Sequence, residues 1–429
     1  MLSLADTVDL SWDVVIIGAG PAGSATAITL AHLGHRVLLI DEQAAAKYKL
    51  GESLPPASVD IVRHFLGDLE SETRKPVGLY KTAGNVSTWS SNQPDHADFF
   101  FTATGFGLCI DRLAFDEALR LRAIELGASL QRGACFESCT RRSDPSFNWD
   151  ITLSSGFKTQ HHRARYLVDC SGRRAVVSKW LEIPIVENED RLFAYAQWFS
   201  TSIKDDDCFT RIEAVKNGWW YTNRVPSDNN NENKRLVVFY SDKDLPDAKK
   251  AGNSKGFYEH LSESTQIAAV LKANAYEPSG AIRGAPANSQ RLNEFCGDAW
   301  MAVGDAAQAY DPLSSQGIDK ALRTASHAGH LIHYALTDEA THSLGADNHF
   351  IQQYSQQQQQ IWNAYISQRD YYYGIQTRWS DQPFWQRRMK KRTTLLTTIE
   401  HPSVLLDIEG QSDRLKAAAA RHARDGTND

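Results

Sequence analysis

A Gly-x-Gly-x-x-Gly run placed directly after a short apolar strand constrains this chain more than any other feature. Residues 13–18 read Asp-Val-Val-Ile-Ile-Gly, a β-branched segment of the kind that forms a buried parallel strand. Gly18, Gly20 and Gly23 carry the motif, with Pro21 and Ala22 between them. A helical stretch, SATAITLAHLG, then ends at Gly34 as a C-cap, and a second strand, RVLLI, ends at Asp41. Each glycine has its own task. Gly18 permits the tight turn, Gly20 lets the backbone approach a pyrophosphate, and Gly23 lets the helix pack against the strand. The helix N-terminus then faces the phosphate charge. Asp41 lies 23 residues after Gly18, with Glu42 beside it, where a carboxylate meets ribose hydroxyls. A glycine-rich turn without a ligand is the alternative, but strand, turn, helix, strand and acid in this order predict a dinucleotide site.

Composition narrows the partners. Hydrophobic residues make up 42% and charged residues 23% of the chain, which rules out wholesale disorder. The net charge of −6 lacks the basic excess that a nucleic-acid partner calls for. No apolar run approaches the ~20 residues that span a bilayer. The opening MLSLADTVDLSWD has neither a basic n-region nor an apolar h-region, so the cytoplasm is the expected compartment. Cys135 and Cys139 form a CxxxC without a second pair at zinc spacing, so no metal site is expected. His161 and His162 read as a solvated turn.

Three distant segments decide which dinucleotide. Residues 299–305, Ala-Trp-Met-Ala-Val-Gly-Asp, form a strand ending in Gly304-Asp305, and a helical pattern begins after Gly317. Residues 165–174, RYLVDCSGRR, form a strand ending in Asp169-x-x-Gly172, and Arg112 opens the helical stretch RLAFDEALRLRAIELGA. In order and separation these resemble the FAD motifs of the flavin-dependent monooxygenase and halogenase superfamily. The resemblance implies FAD. It places Asp305 on the ribityl chain, Arg112 beside the phosphates, and the loop from Asp311 to Gly317 along the isoalloxazine. Pro312, Ser315, Gln316, Gly317 and Ile318 then follow the flavin, where a helix N-terminus stabilises negative charge on the reduced ring. Ser53, within GESLPP, is a further expected FAD-binding residue.

No repeat is present. The expected architecture is α/β: an FAD-binding Rossmann-like domain of the glutathione-reductase and hydroxylase type, an inserted, mostly antiparallel substrate sheet, and a C-terminal helical region. The expected segments are 1–90, 112–185 and 291–345 for FAD binding. Those at 91–111 and 186–290 supply substrate-domain strands, and 346–429 the helices. LFAYAQWF, GWWYTNRVP and RLVVFYS read as strands of the inserted sheet, and SDNNNENK as a hairpin loop. The glutamine-rich run after 351 reads as amphipathic helix, and RLKAAAARHARDGTND as a short terminal helix. Eleven Trp are many for this length, and the aromatics at 219–221 and 371–385 read either as core or as a docking face.

Further segments narrow the resemblance. GESLPP at 51–56, LYKTAGNVSTW at 79–89 and YYYGIQTRWSDQPFWQRR at 371–388 resemble a halogenase-related branch that matures the cysteine tryptophylquinone of partner enzymes. Lysine ε-oxidase, glycine oxidase and quinohemoprotein amine dehydrogenase are partners of that branch. The implied reaction is hydroxylation of a tryptophan in the precursor of such an amine oxidase or dehydrogenase. O₂ is the co-substrate, and NAD(P)H or an external reductase is the electron source, since no second Rossmann fingerprint is present. The halogenase marks depart in two places. Ser314 stands where tryptophan halogenases carry a Glu, and their Trp-x-Trp-x-Ile-Pro becomes Trp219-Trp220-Tyr221 with a longer path to Val225-Pro226. Lys81, in YKTA, matches the halogenase lysine. Lys81 and Glu52 are the candidate catalytic groups, for proton transfer or for ordering the flavin loop. A surface lysine and an acid before a helix at 57–66 are the plainer readings. A small-molecule aromatic hydroxylase, a halogenase and an isoprenoid-type flavin reductase are the alternative functions.

Overall fold

The computed structural model describes residues 10–45, 49–69, 78–142, 146–187, 190–227, 232–337 and 348–389. The chain opens with β1 (Ser11–Ile17), α1 (Pro21–His32) and β2 (Val37–Asp41), a βαβ unit in which Val14 to Ile17 run parallel to Val37 to Ile40. It returns through α2 (Arg112–Glu125) to β3 (Ser129–Arg132), parallel to β2. A hairpin strand pair leads into β4 (Lys158–Asp169), which lies parallel to β1 on its other side. β5 (Trp300–Ala302) then adds to β4, giving the order β5-β4-β1-β2-β3. The middle strands are buried along their length, as continuous Val, Ile and Leu runs require. α1 packs on α3 (Gly317–Thr337), where a β-carbon on Gly329 would lie 2.7 Å from Thr29.

The second sheet has seven strands, all antiparallel to their neighbours except where Phe209–Val215 meets Gly84–Thr88. The three apolar runs read as its strands occupy Leu192–Thr201, Gly218–Val225 and Asn233–Asp242. Gly84–Thr88, from the segment 1–90, pairs in this sheet, whereas Gly107–Ile110 pairs with Ser53–Leu54 and Leu79–Thr82 in a small separate one. Side chains alternate across the large sheet, so adjacent tryptophans serve different cores. Trp219, Tyr221, Val238 and Tyr240 pack with Trp89, Tyr373, Phe384 and Trp385. Trp220, Val237 and Phe239 pack on the other face against the short helices between Pro246 and Ala273.

The C-terminal aromatics are therefore core. The C-terminal end of α4 (His349–Gly374) and α5 (Pro383–Met389) pack on one face of the large sheet, and Trp219, Trp220, Tyr373, Phe384 and Trp385 are at most 1% exposed. Only Tyr371 and Tyr372 of that stretch stand out, 50% and 44% exposed. The docking-face reading fails here because an open sheet must cover both apolar faces. His162 also departs from the turn reading. It sits in β4, buried, and accepts a hydrogen bond from Trp12 Nε1 at 3.2 Å, while His161 points outward. Residues 228–231 of the hairpin loop and the terminal helix RLKAAAARHARDGTND lie outside the described residues. Among the described residues, no helix is long and apolar enough to cross a membrane.

Trp385→Ala removes a fully buried ring whose Nε1 donates to the carbonyl of Val215 at 3.0 Å. It should destabilise the fold by about 3–5 kcal/mol, read as a lowered melting temperature, while alanine at Tyr371 and Tyr372 should leave stability near wild type. Burial, helped by His330, holds the His327 imidazole down at about 4. The unfolded chain then binds the extra proton between there and about 6.5, so stability should fall as the pH drops through that window. His327→Leu should flatten that part of the melting-temperature profile.

Candidate active site

The C-terminal ends of β1, β2 and β4 open on a cavity of ≈ 470 Å³. The first turn is built by sterics. Gly18 has φ +107°, and a β-carbon there would lie 2.3 Å from the carbonyl oxygen of Cys170. A β-carbon on Gly23 would fall 1.8 Å from the carbonyl oxygen of Gly18. On Gly20 it would meet only Lys49 Nζ, at 3.9 Å. Gly18 and Gly23 thus close the turn, and Gly20 presents bare backbone to the cavity. It is also the N-cap of α1, with no capping side chain and no acid in the first turn, so the helix N-terminus faces the cavity uncompensated.

Charged side chains ring this turn. Asp41 ends β2 at the cavity wall and pairs with Arg120 at 3.3 Å, and Glu42 beside it pairs with Arg174 at 2.5 Å. Arg112, in the first turn of α2, is gripped by Asp116 at 3.0 and 3.1 Å and donates to the carbonyl of Leu50 at 2.5 Å. Its guanidinium is thereby fixed against the cavity. Gly18, Gly20, Pro21, Ala22, Ser53 and Gly172 line the same space.

Three residues of the motifs stand behind the wall. Gly23 is in the turn packing. Gly304, at φ +68°, sits so close to α1 that a β-carbon on it would lie 2.6 Å from that of Ala22, so it sets how nearly the second motif approaches the helix. Asp169 is fully buried and accepts from the N–H and hydroxyl groups of both Ser171 and Ser178, at 2.6–3.0 Å. It shapes the turn that brings Gly172 to the cavity.

The flavin-loop side is set by Asp305 and by residues 312–318. The Asp305 side chain is 39% exposed and pairs with Lys320 Nζ at 2.9 Å. Against the upward pull of burial, that ammonium holds the carboxyl below its usual range. Lys320 itself is buried and pushed down by burial, and lies 4.2 Å over the ring of Tyr310. Nothing local marked it in the sequence; it works because one turn of α3 carries it back to Asp305. Pro312, Ser314, Ser315, Gln316, Gly317 and Ile318 all line the cavity.

At the sheet end the walls are Ala194, Tyr221, Tyr240 and Pro286. Burial first, and then Glu52, push both phenols up, so they are neutral donors. Glu52 is 2% exposed, in the wall, and accepts from the N–H of Gly51 at 3.0 Å. It is not a solvated helix-start acid. Lys81 is exposed on Leu79–Thr82, its Nζ 4.4 Å from the ring of Phe106, and is not among the cavity-lining residues.

These residues fit FAD: bare backbone at a helix N-terminus, a carboxylate at the end of β2, a fixed arginine and a second helix start beside an acid. The sequence matches the family of the FAD binding domain over residues 11–368. The chain belongs to that family. It is an FAD-dependent oxidoreductase of the monooxygenase and halogenase kind. The putative FAD-dependent oxidoreductase LodB of Marinomonas mediterranea is 28% identical over 385 residues, 88% of this chain and 97% of LodB. The myxobacterial chondrochloren halogenase CndH shares the fold with a TM-score of 0.76 at 21% identity, covering 96% of this chain and 90% of CndH. QhpG, a peptidyl tryptophan dihydroxylase essential for tryptophylquinone cofactor biogenesis, does so with a TM-score of 0.63 at 21% identity, over 91% of this chain and 81% of QhpG.

Gly20→Val should leave the melting temperature of the apoprotein near wild type and abolish flavin absorbance in the purified protein, because the side chain enters only the cavity. Gly23→Ala should instead destabilise the apoprotein itself.

Proposed function

We propose that the enzyme hydroxylates a tryptophan side chain of a partner protein during formation of a cysteine tryptophylquinone. The observation that carries this reading is Ser314, which lines the cavity at the flavin loop where the resembled halogenases hold a glutamate. A serine hydroxyl carries no charge to polarise a halogen oxidant, and oxygen transfer to an electron-rich ring needs none. The likeness to QhpG over 91% of this chain supports the same reading, and that to LodB supports FAD-dependent oxidation. The partner is then the precursor of a quinone-cofactor amine oxidase or dehydrogenase.

When bound and reduced, FAD lets O₂ deliver one oxygen atom to the ring, the other leaving as water. The electron pair comes from NAD(P)H or from a separate reductase. A tryptophylquinone carries two added oxygens, so the same indole reacts twice. The chain's own part is to seat and desolvate the ring. Tyr221 and Tyr240 offer neutral phenols beside the apolar Ala194 and Pro286, which suits an indole. Glu52, buried in the wall, is assigned to take up the proton that leaves the ring when C–H becomes C–OH. Lys81, outside the wall, is left out of the mechanism.

Coexpression with a candidate precursor, followed by mass spectrometry of its tryptophan peptide, should show a gain of two oxygens. Oxygen gain on free tryptophan without the precursor would favour a small-molecule hydroxylase, and a chlorine or bromine isotope pattern a halogenase. Glu52→Gln should slow hydroxylation by about 10²–10⁴-fold with FAD content unchanged. Unaltered turnover would remove Glu52 from proton transfer.

A further inference from the structure

The flavin loop is not held by its own domain alone. α4 runs across it and bonds it, and Gln308 just before it, at intervals along one stripe of the helix. Gln308 Nε2 donates to Gln358 Oε1 at 2.5 Å, the N–H of Asp311 donates to the Tyr365 hydroxyl at 2.7 Å, and Gln316 Nε2 donates to Gln368 Oε1 at 2.9 Å. The last contact is the most enclosed. Trp219 Nε1, from the substrate sheet, donates to the Tyr373 hydroxyl at 3.0 Å, and that hydroxyl donates to Asp311 Oδ2 at 2.7 Å. Asp311 Oδ1 in turn accepts the N–H of Leu313 at 2.9 Å and so folds the loop. All three side chains are buried.

We propose that Tyr373 is a positioning residue for the oxidation: its hydroxyl ties the substrate sheet to the flavin loop through Asp311 and fixes the loop in the shape that receives FAD. A phenol is suited to this task. It accepts one hydrogen bond and donates another in a single plane, so one atom fixes both partners. The inference holds whichever ring the enzyme oxidises, because it concerns only the loop and the cofactor. The surroundings of Asp311 supply an independent readout. Burial, and then Asp190, push its carboxyl up to about 6, while the Leu313 N–H, Arg388 and the Tyr373 hydroxyl pull it down. Arg369 and Tyr365 of α4 and Tyr240 of the sheet also face it. The diphosphate of FAD would bring negative charge into the cavity that Asp311 lines and so disfavour the ionised carboxylate, so FAD affinity should weaken as the pH rises through that value.

The test is Tyr373→Phe in the full chain, which keeps the ring and deletes only the bridging oxygen. FAD dissociation constants are measured across pH by fluorescence quenching, and amide exchange of residues 311–317 is followed in the apoprotein. The expected result has three parts. The break in the FAD-affinity profile moves to higher pH, the loop amides exchange at least tenfold faster, and FAD binds several-fold more weakly at pH values above both breaks. A break and an exchange rate identical to wild type would overturn the proposal. If Tyr373→Phe fails to fold, Asp311→Asn decides. It should erase the break and bind FAD at high pH as tightly as wild type does at low pH, and an unchanged break would overturn the role of Asp311 and with it that of Tyr373.

Discussion

The carbonyl oxygen of Gly18 lies where a β-carbon on Gly23 would have to sit, and the carbonyl oxygen of Cys170 lies where one on Gly18 would. Those two approaches bring α1, β1 and the end of β4 into one backbone contact. Everything that follows is measured from it. The N-terminus of α1 is aimed at the cavity, Ser171 and Gly172 are held at its rim by Asp169, and Gly304 brings the second motif against Ala22. No attractive interaction of comparable precision is needed, because the geometry is set by which atoms are absent.

The attachment of the C-terminal helices obeys a different logic. Arg388 pairs with Asp242 at 2.7 Å and Arg369 with Asp190 at 3.1 Å, all four groups buried. Removing ions from water is costly, and such pairs roughly break even, but losing one partner costs about 3–5 kcal/mol. They contribute placement more than net stability. They join α4 and α5 to Asp190 and Asp242 in the arrangement that puts Tyr365, Gln368 and Tyr373 over the flavin loop.

The legible parts of the sequence were those in which a residue's task is local. Gly18, Gly20 and Gly23 announce themselves because backbone sterics act over a few residues, and the strands at 192–201 and 218–225 do so because pleat alternation and apolar runs do. Long-range tasks left no local mark. Lys320 looks like an ordinary helix lysine until α3 returns it to Asp305. His162 looked like one half of a polar turn, yet strand alternation sends it inward while His161 faces water. The aromatics at 371–385 fitted both a surface and a core, and only the sheet face beneath them distinguishes the two. Glu52 stands out by its type alone, but its neighbours Cys109, Tyr221 and Tyr240 come from segments far along the chain.

The cavity has a consequence for how this protein is made. Its walls come from residues near 18, 41, 112, 172 and 305–318, and the loop that completes them is clamped from residue 373. β1 finds β2 almost at once, but must wait for β4, and β4 for β5, before its other edge is filled. During synthesis the first half of the nucleotide-binding sheet therefore leaves the ribosome with an open, apolar strand edge and no finished site. FAD has nothing complete to bind until most of the chain is out. Cofactor loading is thus a late event, and it marks the molecules in which the remote segments have found one another.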